Sequence, residues 1–127
     1  MTINYQYHKD KDYLLCKVND KVTLIDVLAY FDKIINDPEI NNPFFEIVEF
    51  SEKTNFDFGY YQTDALMTKL NHLKSLNNYQ GSLLITDKDY LRGMANIFKV
   101  VGEDNKINVK EFKSLEEAVN YVTEYFA

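Results

Sequence analysis

Glu49, Asp57 and Asp87 each stand near the C-terminal end of an apolar run that reads as a strand. Three carboxylates so spaced can converge for general acid–base work, but no nucleophile, metal-ligand cluster or cofactor motif accompanies them. Around the middle acid the chain reads VEFSEKTNFDFGYY, residues 48–61, with Phe56, Phe58, Tyr60 and Tyr61 about Asp57 and Gly59. An exposed Tyr offers a large contact area at small entropic cost, which suits docking of a partner or an apolar ligand. Phe packed under the loop and Asp57 capping the next helix, worth about 1 kcal/mol, would instead be structural. Both readings hold together if the Phe pair faces inward and a Tyr outward.

A second junction, Asp87-Lys88-Asp89-Tyr90-Leu91-Arg92-Gly93, follows a strand end, where open α/β sheets place their ligands. Arg92 can bind an anion there, opposed by Asp87 and Asp89. A calcium loop fails, because its fifth position is Leu91 and its twelfth Phe98. His8, Asp10 and Asp12 alternate at a polar turn with a single imidazole, which is a poor metal set. His72 falls among polar neighbours on a helix. Cys16 is in phase with Leu14 and Val18, so a buried thiol is expected. Four glycines and no Gly-rich run leave no phosphate loop. No catalytic, metal or cofactor residue is assigned.

These side chains belong to 127 residues, 46% hydrophobic and 27% charged, which is globular composition for one domain spanning 1–127. Aromatics reach 15% without a Trp. A net charge of −6 and a pI near 4.8 argue against nucleic acid and anionic membrane as partners. No apolar run approaches the roughly 20 residues of a membrane span. One cysteine and an N-terminus without an apolar stretch point to a cytoplasmic protein.

Apolar periodicity sets the element order. Residues 2–8 and 12–18 alternate about the turn His8-Lys9-Asp10-Lys11-Asp12, predicting a hairpin. Leu24, Val27, Leu28, Phe31, Ile34 and Ile35 mark a helix capped by Thr23 with Asp26. Phe44 to Phe50 is a mostly buried strand holding Glu46 and Glu49. Leu66, Leu70, Leu73 and Leu76 mark a second helix ending at Asn77-Asn78, before Gly81, and Ser82 to Thr86 is the next strand. Leu91, Met94, Ala95, Phe98 and Val101 line a third helix that Gly102-Glu103-Asp104-Asn105 terminates. A strand over 106–112 follows, then a helix opened by a Ser114/Glu117 capping box. The expected fold is α/β, ββαβαβαβα, with a mixed, mostly parallel sheet and helices packed against it.

This order and three segments resemble the STAS domain, in particular stand-alone bacterial proteins similar to the anti-sigma factor antagonist. The segments are VEFSEKTNFDFG, then Asp89-Tyr90-Leu91-Arg92-Gly93-Met94-Ala95, and Phe112-Lys113-Ser114-Leu115-Glu116-Glu117-Ala118, the last two similar to an uncharacterised antagonist-like subgroup. The resemblance puts Glu49 on the family's acidic strand position, Ser51 on the following Ser and Asp57 on the loop Asp. In antagonists switched by phosphorylation a Ser or Thr comes next, at a helix start whose N–H groups can hold the phosphate. Here Phe58 and Gly59 stand in its place, and neither accepts a phosphate. Nearby hydroxyls are Ser51 at a strand end, Thr54, and Thr63 about a turn into the helix.

The resemblance therefore implies a non-enzymatic, regulatory, protein-binding module without the usual phospho-acceptor. It would meet a protein partner or itself through Asp57, Phe58, Tyr60, Tyr61, Asp89, Tyr90 and Arg92. Two other classes stay open: a binder of a small apolar ligand or lipid, and a small enzyme built on the dispersed acids.

Overall fold

A computed structural model describes residues 2–57, 63–76 and 78–127. Five strands form the main sheet: β1 (Ile3–His8), β2 (Tyr13–Val18), β4 (Phe44–Phe50), β6 (Tyr79–Ile85) and β7 (Val109–Phe112). They lie in that spatial order, β1 and β2 antiparallel and every later pair parallel. Helices α1 (Leu24–Ile35), α2 (Thr63–Leu76) and α3 (Asp89–Asp104) make the crossovers, and α4 (Leu115–Phe126) ends the chain.

Because the parallel strands step across the sheet in one direction, right-handed crossovers carry α1, α2 and α3 to one face. Residues from those helices pack there on Leu14, Cys16, Phe44, Val48 and Leu84. On the other face α4 sets Ala118 and Val122 against Phe45, Ile47 and Leu83. Both sheet faces are thus covered, which explains why FFEIVEF is apolar almost throughout. Thr23 and Asp26 form the expected capping box of α1, with N–H to oxygen distances of 2.9 and 3.2 Å. Ser114 caps α4 by accepting from Glu117 N–H, while Glu117 Oε2 accepts from Lys113, one residue before the cap.

Three features depart from expectation. Two three-residue strands, β3 (Lys21–Thr23) and β5 (Asn55–Asp57), pair in parallel as a small second sheet. They are too short to show alternation in sequence. The strand expected from residue 106 starts later, because α3 runs through Gly102 to Asp104 and ends, capped by Asn105, inside the expected terminating stretch. A Cβ at Gly102 would lie 2.7 Å from Val109 Cγ2 and 2.9 Å from the Ile107 carbonyl oxygen, so close approach to the following chain is what the glycine serves. The left-handed turn residue is Lys106, at φ 59°, and β7 starts only at Val109.

The third departure is Gly81, which lies inside β6 (Tyr79–Ile85) rather than just before a strand starting at Ser82. Phe44 pairs with Tyr79 but Glu46 with Ser82, so β6 carries one extra residue. Gly81 sits in that bulge at φ 148°, where its missing Cβ would be 2.4 Å from Asn108 O. Gly81→Ala is expected to cost about 1–3 kcal/mol from the backbone conformation, with the clash adding to it. Urea unfolding measures this, and a loss under about 0.5 kcal/mol would contradict the assignment.

Candidate functional site

Between the sheet and α1, α2 and α3 lies a cavity of about 80 Å³. Apolar side chains make most of its wall, among them Val48 of β4, Met67 and Leu70 of α2 and Leu84 of β6. At its outer part Phe56 meets Phe50 and Phe98 edge-on, each pair of ring centres 5.9 Å apart. All three rings are partly exposed, and Phe50 ends β4, so this aromatic corner lies at the C-terminal end of the parallel strands. Phe56 and Leu66, on either side of residues 58–62, both line the cavity.

Deeper in, the wall carries Cys16, Tyr30, Glu46 and Ser82. Alternation along β4 puts Glu46 on the same face as Phe44 and Val48, and it is only 4% exposed. Its neighbours in the ladder are Leu14 of β2 and Ser82 of β6. Tyr30, on the buried stripe of α1, donates its hydroxyl proton to Glu46 Oε2. Ser82 Oγ donates to Glu46 Oε1 at 2.6 Å and is also hydrogen-bonded to the Tyr79 hydroxyl. Residues three apart in a regular strand point to opposite faces. The Gly81 bulge is what turns Tyr79 and Ser82 to the same side. Cys16 of β2 lies in the same stretch of wall, so these side chains come from β2, α1, β4 and β6.

No ion pair among the described residues involves Glu46. Burial pushes its carboxyl above the ordinary value, and the bonds from Ser82 and Tyr30 offset this only in part. Burial likewise raises the Cys16 thiol well up, with the Glu46 charge adding to it, so Cys16 is not an activated nucleophile. Tyr30 and Tyr79 are raised by burial as well and remain neutral donors. A buried carboxyl with no cation, beside a cavity, is a functional-site signature that sequence reading passed over.

Comparison with known proteins bears on the fold. No family model matches the sequence, and no curated protein matches it. A solved structure does match: the crystal structure of an uncharacterized protein from the DUF3478 family with a SpoIIAA-like fold, from Shewanella loihica PV-4. The TM-score is 0.60 at 15% identity, over 94% of this chain and 91% of that one. The fold is SpoIIAA-like. The STAS resemblance read from the sequence is supported at the level of the fold, and so is the mixed, mostly parallel sheet.

Within this SpoIIAA-like fold the expected surface residues are described only in part. Phe58, Gly59, Tyr60 and Tyr61 lie outside the described residues. Asp57 is the last residue of β5, paired with Thr23 and 3.4 Å from Lys21 Nζ, both charged groups exposed. α2 is described from Thr63 onward, six positions after Asp57. Asp89 is the first residue of α3, whose cap is Lys88 without a side-chain bond, so Asp89 is not a cap. Arg92 is exposed beside a shallow polar depression with Thr86 and Glu111, and Tyr90 lies in the first turn of α3.

Ser51 and Thr54 are committed to structure. Ser51 Oγ donates to Asn19 Oδ1 at 2.7 Å, and buried Thr54 Oγ1 donates to the Val18 carbonyl at 3.1 Å. His8 stacks on Tyr13 with ring centres 4.7 Å apart, and His72 is exposed. Among the described residues, no helix is long and apolar enough to cross a membrane.

Proposed function

We propose that this SpoIIAA-like domain is a non-enzymatic binding module whose ligand is a small, mainly apolar molecule with one polar end. The observation that carries this reading is the cavity under α1, α2 and α3, apolar but for the Glu46 cluster in its wall. Pockets of this kind, largely apolar with a few convergent polar groups, are the usual form of small-molecule sites. The cavity is about half the roughly 150 Å³ of an apolar void that takes a benzene ring. Flexible Met67 and the half-buried Phe56 and Phe98 are the walls that give way on binding. The docking role read from Tyr60 and Tyr61 falls on residues outside those described, whereas the cavity belongs to described ones.

Toluene tests the site without involving its polar end. A ligand that binds only the folded state raises stability by RT ln(1 + [L]/Kd). The thermal midpoint of the protein is expected to rise in toluene-saturated buffer. A midpoint that stays at its toluene-free value would overturn the reading.

A further inference from the structure

From the hydrogen-bond directions in the cluster we infer that the ligand's polar end is a hydrogen-bond donor, a hydroxyl or an amine, received by Glu46. This rests on the cavity being the ligand site and adds the chemistry of what enters it. The protein's own donors are already used. Tyr30 and Ser82 give their protons to the two oxygens of Glu46. With the Ser82 proton on Glu46, Tyr79 must donate in the bond it shares with Ser82.

What the cluster still offers is lone pairs. A carboxylate has about four lone-pair directions, and the bonds from Tyr30 and Ser82 occupy one on each oxygen. A hydroxyl or amine is therefore accepted whether Glu46 is ionised or neutral. An ammonium would also bring the cation that the protein does not place beside this buried carboxylate. A carboxylate end fits badly. It would face Glu46 charge to charge, or require a proton on Glu46 that is turned away from Tyr30 and Ser82. The bulge at Gly81 supports the same reading, since by turning Tyr79 and Ser82 to one side it fills the β6 flank of Glu46 with donors.

Four probes of one size separate these chemistries: toluene, benzyl alcohol, benzylamine and benzoate, titrated by calorimetry at neutral pH into the wild type and Glu46→Gln. Circular dichroism checks that the variant is folded. A hydrogen bond to a buried charged group is worth about tenfold or more in affinity. Benzyl alcohol and benzylamine are expected to bind at least about tenfold tighter than toluene, benzoate no tighter than toluene, and benzylamine to lose about tenfold or more in Glu46→Gln. Equal affinities for all four, or benzoate binding most tightly, with toluene still bound, would overturn the donor inference alone. Failure of every probe, toluene included, would overturn the ligand site and the inference with it.

Discussion

Phe45→Ala is expected to lower stability by about 3–5 kcal/mol, the range for truncating a fully buried aromatic side chain. Phe45 is inaccessible to solvent and stands on the sheet face opposite the cavity. Its ring meets Tyr121, Tyr125 and Phe126 of α4 edge-on, at 5.5, 4.8 and 5.9 Å between centres. Edge-on pairs add about 0.5–1.5 kcal/mol each to the area they bury. The substitution opens a void where nothing rigid can close it, since the strand is paired with β2 and β6 on either side. Urea unfolding of wild type and variant gives the value. A loss under about 1 kcal/mol would show that α4 is held by something other than this aromatic cluster.

Glu46 is expected to show the second large effect, and its sign depends on the substitution. Glu46→Ala leaves the Tyr30 and Ser82 protons buried without an acceptor, at about 1–3 kcal/mol for each. Glu46→Gln keeps an acceptor and removes the buried charge. The folded protein holds the Glu46 carboxyl above its unfolded value, chiefly through burial. The folded state thus binds the proton more tightly than the unfolded chain, which titrates near pH 4.3. The stability that Glu46 contributes is complete below about pH 4.3 and is lost as pH rises through the folded value. Glu46→Gln lacks this loss. Its stability relative to wild type is therefore expected to grow as pH rises above about 4.3, read from urea midpoints. A difference that stays flat with pH would mean that Glu46 is ionised at no cost.

The main sheet and its four helices were legible in the sequence because each element is long enough to show its period. Phe44 to Phe50 was read with its bounds, and Thr23 with Asp26 announced α1. Lys21–Thr23 and Asn55–Asp57 escaped, since three residues cannot display alternation. Gly81 stands just before the strand expected over 82–86, and Gly102 opens the stretch expected to end α3, where a turn or a cap is glycine's usual role. Both instead make room for the chain around Ile107 to Val109, a contact that only the folded chain creates.

The site was harder to read than the fold. Glu46 was seen inside a buried strand, but the alignment with the STAS motif drew attention to Glu49, three residues on. Its phase with Phe44 and Val48 was a usable signal, because a carboxyl on that face must find partners or remain neutral. Those partners come from β6 and α1, through a bulged register and a helix placement that no local pattern encodes. The aromatic loop promised a site at residues 56–61, and of its rings Phe56 is seen closing the cavity on Phe50 and Phe98.

Methyl NMR of the protein titrated with toluene tests the ligand site most directly. Shifts are expected to concentrate on the Met67 methyl and on Leu66, Leu70, Leu84 and Val48, which line the cavity, and to leave Ile47 and Leu83 on the α4 face unmoved. Shifts spread over the surface, or confined to the α4 side while Met67 stays in place, would contradict it.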